Sequence, residues 1–208
     1  MLDDYRLSFG PAYTLVFEKI LHELRQMPTG RPAKSTVSII GKLQREKIRL
    51  TQMQDIAGCR IICKDIGEQE QILQSLSILF PEARMVDRRE KPSHGYRAVH
   101  IIPVKFDKPV EIQIRTENQH LWAEISEKYA DLYDPFIKYG GGSQDIQELL
   151  TEISNLIRRV ENQEKRQISL QEISSGLLME DNVEFDSMES ELRSFQHRIY
   201  DMISDIDN

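Results

Sequence analysis

The stretch HGYRAVHIIPVKFDKPVEIQIRT, His94 to Thr116, alternates in its second half. Val110, Ile112 and Ile114 fall on one face of an extended chain, and Glu111, Gln113 and Arg115 on the other. That pattern predicts a strand over 109–115 with one buried and one polar side. The first half, roughly 97–103, predicts a second strand, joined to it by a turn. The polar side of the second strand carries an acid, an amide and a guanidinium in a row.

Working outward, IAGCRIIC (56–63) is a continuous apolar run with β-branched residues, which predicts a buried strand. Residues 67–80 place Ile72, Leu73, Leu76, Leu79 and Phe80 at helical spacing, and Pro81 stops that helix. Glu117 to Ala130 reads as another helix, with Leu121, Trp122, Ile125 and Tyr129 on one stripe and Trp122 in the core. Nearer the start, 9–26 and 36–46 read as helices, separated by the break MPTGRP. Strand, helix, strand, strand, helix predicts an α+β core: a mixed sheet with helices against one face and the other face free for a ligand. The turn-rich DPFIKYGGGSQD (134–145) marks a boundary, with its three glycines read as a linker. Beyond it, Ile146, Leu149, Leu150, Ile153, Leu156, Ile157 and Val160 recur at coiled-coil-like spacing. A last helix is predicted from Phe185, Met188, Leu192, Phe195, Ile199 and Met202, with a less regular segment, 163–182, between. The chain thus divides into an N-terminal helix (1–30), a core (31–139) and a C-terminal helical extension (140–208). The extension packs on its own core or on a second subunit.

Composition narrows the class. With 39% hydrophobic and 29% charged residues among 208, the chain reads as a soluble globular protein. No apolar run approaches the ~20 residues needed to cross a membrane, and MLDDYRLSF has neither the basic start nor the apolar core of a signal peptide. Cys59 and Cys63, four apart on one strand, would be roughly 13 Å apart, too far for a disulfide. Two buried thiols fit a reducing cytoplasm. The net charge of −7 argues against non-specific nucleic-acid binding.

The informative residues are polar ones set inside apolar elements: Asp55, Arg60, His100, Glu111, Gln113 and Arg115. A solvated sheet face or an internal salt bridge accounts for any one of them. On three neighbouring strands, however, the set converges on one patch. Asp55 and Glu111 are hard oxygen donors without an accompanying His or Cys, which suits Mg²⁺ with phosphate oxygens. Arg31, Lys34, Lys42, Arg60, Arg88, Arg89, Lys91, Arg97 and Arg115 surround them in sequence, the setting phosphoryl transfer requires. Lys34, Ser38 and Lys42, four apart, share one helix face near its N-terminus, either as a seat for phosphates or as a solvated face. Neither a G-x-x-x-x-G-K-[ST] loop nor a G-x-G-x-x-G turn is present. Tyr96, after His94-Gly95, either offers its ring to a base or covers a sheet edge, and His120 could face the site.

Taken in order, GRPAKSTVSIIGK, MQDIAGCRII, KPSHGYRAVH and VEIQIRT followed by H-x-W-A-E resemble the synthetase domain of RelA/SpoT-type alarmone synthetases, over about residues 31 to 124. The chain resembles the small, synthetase-only branch. The resemblance implies a nucleotidyltransferase-like core that moves pyrophosphate from ATP to the ribose 3′-OH of GDP or GTP, giving (p)ppGpp and AMP. It implies Mg²⁺ on Asp55 and Glu111, with Glu111 also taking the 3′-OH proton and Gln113 orienting that hydroxyl. Lys34, Ser38 and Lys42 would grip the ATP phosphates, and Arg31 and Arg60 would sandwich adenine. The acceptor would be met by Tyr96, stacked on its base, together with Arg88, Arg89, Lys91, Gly95, His100, Arg115 and His120. It also implies a homo-oligomer joined through the C-terminal helices. Two alternatives stand beside this: a toxin of the same family that pyrophosphorylates the 3′ end of tRNA beside an antitoxin, and a non-catalytic nucleotide-binding scaffold.

Overall fold

The computed structural model describes residues 2–173 and, beyond them, the helical positions Ser187, Ser190, Glu191, Arg193, Ser194 and His197. In chain order the elements are α1 (Leu2–Leu7), α2 (Gly10–Glu23), β1 (Thr29–Arg31), α3 (Thr36–Glu46), β2 (Ala57–Cys63), α4 (Ile66–Leu79), β3 (Arg84–Asp87), β4 (Val99–Ile102), β5 (Val104–Lys105), β6 (Lys108–Thr116), α5 (Glu117–Leu132) and α6 (Gln144–Ile173). This is the predicted α+β class, a mixed sheet with helices. The chain falls into two compact units. One comprises Met1–Ile62, Glu70–Asp87 and Val99–Arg115; the other comprises Cys63–Gln69, Arg88–Ala98 and Thr116–Asn208.

In the first unit the strands lie in the order β1-β2-β6-β4-β3, with β5 paired to β6. The period-two reading of β6 holds: Val110, Ile112 and Ile114 are all fully buried. That face supplies the hydrophobic drive that fixes the register, since a one-residue slip would turn all three outward. A second apolar cluster, Phe9, Ile39, Met53, Ile56 and Ala57, anchors α2 and α3 beside the start of β2. Gly58 matters here, because a Cβ on it would lie 2.4 Å from the Glu111 carbonyl oxygen. Only a glycine lets β2 approach β6 so closely at the Glu111 position. Helix α3 starts where Ser35 caps it, the side chain accepting from the Ser38 N–H at 3.2 Å, and stops at Lys47 in a left-handed conformation.

Three strands went unpredicted. β1 occupies part of the break MPTGRP, β5 lies in the turn between the strands predicted over 97–103 and 109–115, and β3 falls in a stretch with no periodic signal; the described sheet has six strands. The short helix α1 was also missed.

In the second unit, Thr116 ends β6 and caps α5, its hydroxyl accepting from the Gln119 N–H while the Gln119 side chain returns to the Thr116 N–H. The stripe Leu150, Ile153, Leu156, Ile157 and Val160 of α6 is buried with Leu121, Trp122 and Ile125 of α5, so within this chain it serves intramolecular packing. Helix α6 runs on to Ile173, through part of the segment read as irregular. The remainder of that segment and the last-helix positions Phe185, Met188, Leu192, Phe195, Ile199 and Met202 lie outside the described residues. The glycines at 140–142 form a structured turn and not a linker. Gly140 and Gly142 take positive φ (83° and 79°), and Gln147 Nε2 donates to the carbonyls of Ile137 and Gly141, both at 2.7 Å.

Candidate active site

The polar face of β6 is a hydrogen-bonded chain. Arg115 Nη2 donates to Gln113 Oε1 at 2.8 Å, and Gln113 Nε2 donates to Glu111 Oε2 at 2.7 Å. The other oxygen of Glu111 meets His100 Nδ1 at 2.9 Å, across from β4, where His100 and Gln113 are register partners. Each group is thereby oriented by its neighbour, and the amide of Gln113 can point only one way. Burial alone would push the Glu111 carboxyl up. The His100 and Gln113 hydrogen bonds win, so its pKa falls below the ordinary carboxylate value, with Asp55 opposing them. That opposition places the two carboxylates within electrostatic reach of each other.

Asp55 lies in the loop just before β2. Lys34 Nζ is 2.6 Å from its Oδ2 and Lys42 Nζ 2.9 Å from its Oδ1, with all three side chains at most one-fifth exposed. Burial raises its pKa, but the two ammonium groups more than offset this and hold it at about 2. Lys34 is not on the helix face with Ser38 and Lys42, as the spacing suggested. It precedes the Ser35 cap, and the two lysines converge on Asp55 from different backbone segments. Ser38 is exposed on the first turn, accepting from Ser35 Oγ at 2.8 Å.

Arg31 and Arg60 sit on paired strands, where Arg31 opposes Gly58 and Thr29 opposes Arg60. The two guanidinium residues are therefore diagonal neighbours on one sheet face, within reach of each other for long side chains. Arg31 also donates to the Asp55 carbonyl at 3.2 Å. The first unit thus gathers Arg31, Lys34, Ser38, Lys42, Asp55, Arg60, His100, Glu111, Gln113 and Arg115. Asp55 and Glu111 are the carboxylates in it that could hold a divalent cation.

The remaining predicted residues, Arg88, Arg89, Lys91, Gly95, Tyr96 and His120, belong to the second unit. His94 and Gly95 form a tight turn between Ser93 and Tyr96, with φ of 52° and 88° and reciprocal backbone hydrogen bonds of 3.3 and 2.9 Å. A Cβ on Gly95 would lie 2.7 Å from Trp122, whose ring also meets Tyr96 with centroids 6.2 Å apart. Trp122 is core, as predicted, with its Nε1 donating to the Leu150 carbonyl at 2.7 Å. His120 Nε2 lies 3.4 Å from Glu124.

Sequence reading missed a buried polar cluster in this unit. Thr116 Oγ1 and Gln119 Nε2 both donate to Glu161 Oε1, at 2.8 and 2.7 Å, and Gln69 Nε2 donates to Gln119 Oε1 at 2.9 Å. Arg97, 3% exposed, donates through Nε to the carbonyl and hydroxyl of Ser154 and through Nη1 to the Arg89 carbonyl. Ser154 and Glu161 are seven apart, two polar residues within the apolar stripe of α6. That spacing was the available signal.

A family model described as "Region found in RelA / SpoT proteins" matches residues 30–133. The chain is 40% identical over 111 residues to the "Uncharacterized protein Rv1366" of Mycobacterium tuberculosis, covering 51% of this chain and 41% of that protein. It is 35% identical over 119 residues to the "GTP pyrophosphokinase YjbM" of Bacillus subtilis, covering 50% and 56%. The chain thus spans about half the length of these curated relatives. Among solved structures, small alarmone synthetase 1 from Bacillus subtilis bound to its product pppGpp superposes with a TM-score of 0.61 over 81% of this chain and 96% of that one. At 24% identity this is a likeness of fold. With the matched segment spanning every residue from Arg31 to His120 named above, the chain belongs to the RelA/SpoT family.

Proposed function

We propose that this protein transfers pyrophosphate from ATP to the ribose 3′-OH of GDP or GTP. The 3′ oxygen bonds to the β-phosphorus of ATP, the bond from that phosphorus to the α,β-bridging oxygen breaks, and AMP leaves. The observation that carries the reading is the pair of ionised carboxylates, Asp55 and Glu111, on a site bordered by Lys34, Lys42, Arg31 and Arg60. The 35% identity to a GTP pyrophosphokinase over the same segment supports it.

Glu111, held ionised by His100 and Gln113, accepts the 3′-OH proton. Gln113, locked between Glu111 and Arg115, keeps that carboxylate in one orientation. Lys34 and Lys42 neutralise Asp55, and phosphate oxygens would compete for the same ammonium groups. Arg31 and Arg60 flank the adenine, and Tyr96 stacks on the acceptor base. Two hard carboxylates opposing one another fit Mg²⁺, and among the described residues no group of three or more His, Cys, Asp or Glu offers a fuller ligand set. Bound there, the ion would neutralise charge developing on the transferred phosphates.

The test is incubation with Mg²⁺ and γ-labelled ATP, offering GDP, GTP, AMP or deacylated tRNA separately. Label should move to a guanine nucleotide with release of AMP, and Glu111→Gln should lower the rate by about 10²- to 10⁴-fold without unfolding the protein. Label on tRNA would assign a different acceptor, and absence of transfer to every acceptor would refute the reading.

A further inference from the structure

The loop Arg88–Ala98 carries Arg88, Arg89, Lys91, Gly95 and Tyr96, and its tip is a turn with two consecutive left-handed residues. Such a turn has little local stabilisation beyond its own hydrogen bonds. Gly95 packs on Trp122 of α5, and the polar links that hold the turn come from α6. Ser154 on α6 donates its hydroxyl proton to the Gly95 carbonyl at 2.7 Å. The same hydroxyl accepts from Arg97 Nε at 2.9 Å, and Arg97 Nη1 reaches back to the Arg89 carbonyl. One serine thus ties the tip of the loop, and one buried arginine ties both ends of it, to a single turn of α6. Gly140, in the turn before α6, packs against the His94 ring so closely that a Cβ there would lie 2.3 Å from Nδ1. Ser154 and Arg97 are 2% and 3% exposed, so the arrangement is built into the interior and is not a surface accident.

We infer that Ser154 and Arg97 are positioning residues that set the conformation of the 88–98 loop, making α6 a determinant of acceptor affinity although it lies outside the family segment 30–133. The inference rests on the reading that this loop meets the acceptor. Buried hydrogen bonds within a network are costly to leave half-made, and a loop released from them samples many conformations in place of one. The acceptor must then select the competent conformation, which weakens its apparent affinity by the fraction lost. ATP, held by residues of the first unit, is unaffected.

The test compares the full-length protein with Ser154→Ala, Ser154→Thr, which restores the hydroxyl, and Thr151→Ala, an exposed control on the same helix. Two readouts are taken: KM for the acceptor and for ATP, and the rate of tryptic cleavage after Arg88 and Arg89. Ser154→Ala should make loop opening roughly 10-fold more favourable, and because a falling closed fraction and a rising open fraction share that factor, the acceptor KM and the cleavage rate should each rise by about three-fold. Its ATP KM should stay within about two-fold, Ser154→Thr should recover part of both effects, and Thr151→Ala should show neither. Unchanged cleavage would overturn the latch. Faster cleavage with an unchanged acceptor KM would overturn its link to the acceptor, as would KM values for ATP and acceptor that rise together. Should the wild-type protein transfer to no acceptor, the functional reading itself fails in the control and this inference falls with it, while the cleavage rates still report whether Ser154 holds the loop.

Discussion

Asp55→Asn should cost stability in a way that pH can dissect. The carboxylate sits between Lys34 Nζ at 2.6 Å and Lys42 Nζ at 2.9 Å, and its side chain is 14% exposed. Its pKa of about 2, against an ordinary 3.8, means the folded state prefers the ionised form by just under two pH units. At 1.36 kcal/mol per unit, that is about 2 kcal/mol of stability. Because the folded value is the lower one, the contribution is complete above about pH 5 and fades as pH falls towards 2. Asparagine keeps the shape but offers one acceptor oxygen, and its NH₂ faces an ammonium, donor against donor. Glu46, 3.8 Å from Lys42, compensates little at the surface. Urea denaturation at pH 7 should therefore show the variant about 2 kcal/mol less stable, with a melting temperature lower by about 4–8 °C for a chain of this size. Near pH 3 the gap should shrink to about half. A variant as stable as wild type at pH 7, or a gap that does not narrow between pH 5 and pH 2.5, would refute the claim that the lysines hold this carboxylate.

Two further substitutions probe the packing around the site. Gly58→Ala puts a methyl 2.4 Å from the Glu111 carbonyl oxygen, a backbone atom that can yield only by moving β6; it should lower stability by about 1–3 kcal/mol in thermal melts and reduce transfer by more than the unfolded fraction explains. A melting point within about a degree of wild type would show that the strands are less closely apposed. Glu161→Gln removes a carboxyl whose pKa is raised mainly by burial, against the pull of Thr116, Gln119, Arg97 and Arg89. A raised folded pKa stabilises most below the unfolded value and fades as pH climbs through the folded one, so melts at pH 5 and pH 8 should shift in the variant's favour as pH rises; a constant difference would mean that Glu161 does not titrate across that range.

The sequence carried the fold wherever one side of an element is apolar. β6, α4 and α5 each bury a face that periodicity located to within a residue or two, and the continuous apolar run located β2. β1 and β3 could not be found that way: Thr29, Gly30 and Arg31 are all exposed, as is most of Arg84–Asp87, and only backbone pairing makes them strands. The candidate site was legible for a related reason. Polar residues inside apolar elements converge if their strands pair with those residues on one face, and the β4–β6 register does this for His100, Glu111 and Gln113. Spacing could not say that His100 would orient Glu111, because that depends on which residues of β4 and β6 stand opposite each other. Nor could it place Lys34, because whether a residue precedes a helix cap or follows it changes its direction without changing its distance along the chain.

Ser154 and Glu161 were harder to read for a physical reason that extends beyond this chain. A polar residue in an apolar stripe reads as a tolerated interruption unless its partner is known, and here the partners lie 42 to 59 positions away. Burial of Glu161 and Arg97 without those partners would be strongly unfavourable, so their placement in α6 and in the loop is mutually dependent. That dependence is directional in its consequences. The loop tip needs α6 to hold its two left-handed residues, whereas α6 has its own apolar stripe to secure it against α5. Weakening the polar links should therefore release the loop before it releases the helix, which is why a change at Ser154 is expected to appear first in the loop and not in global stability.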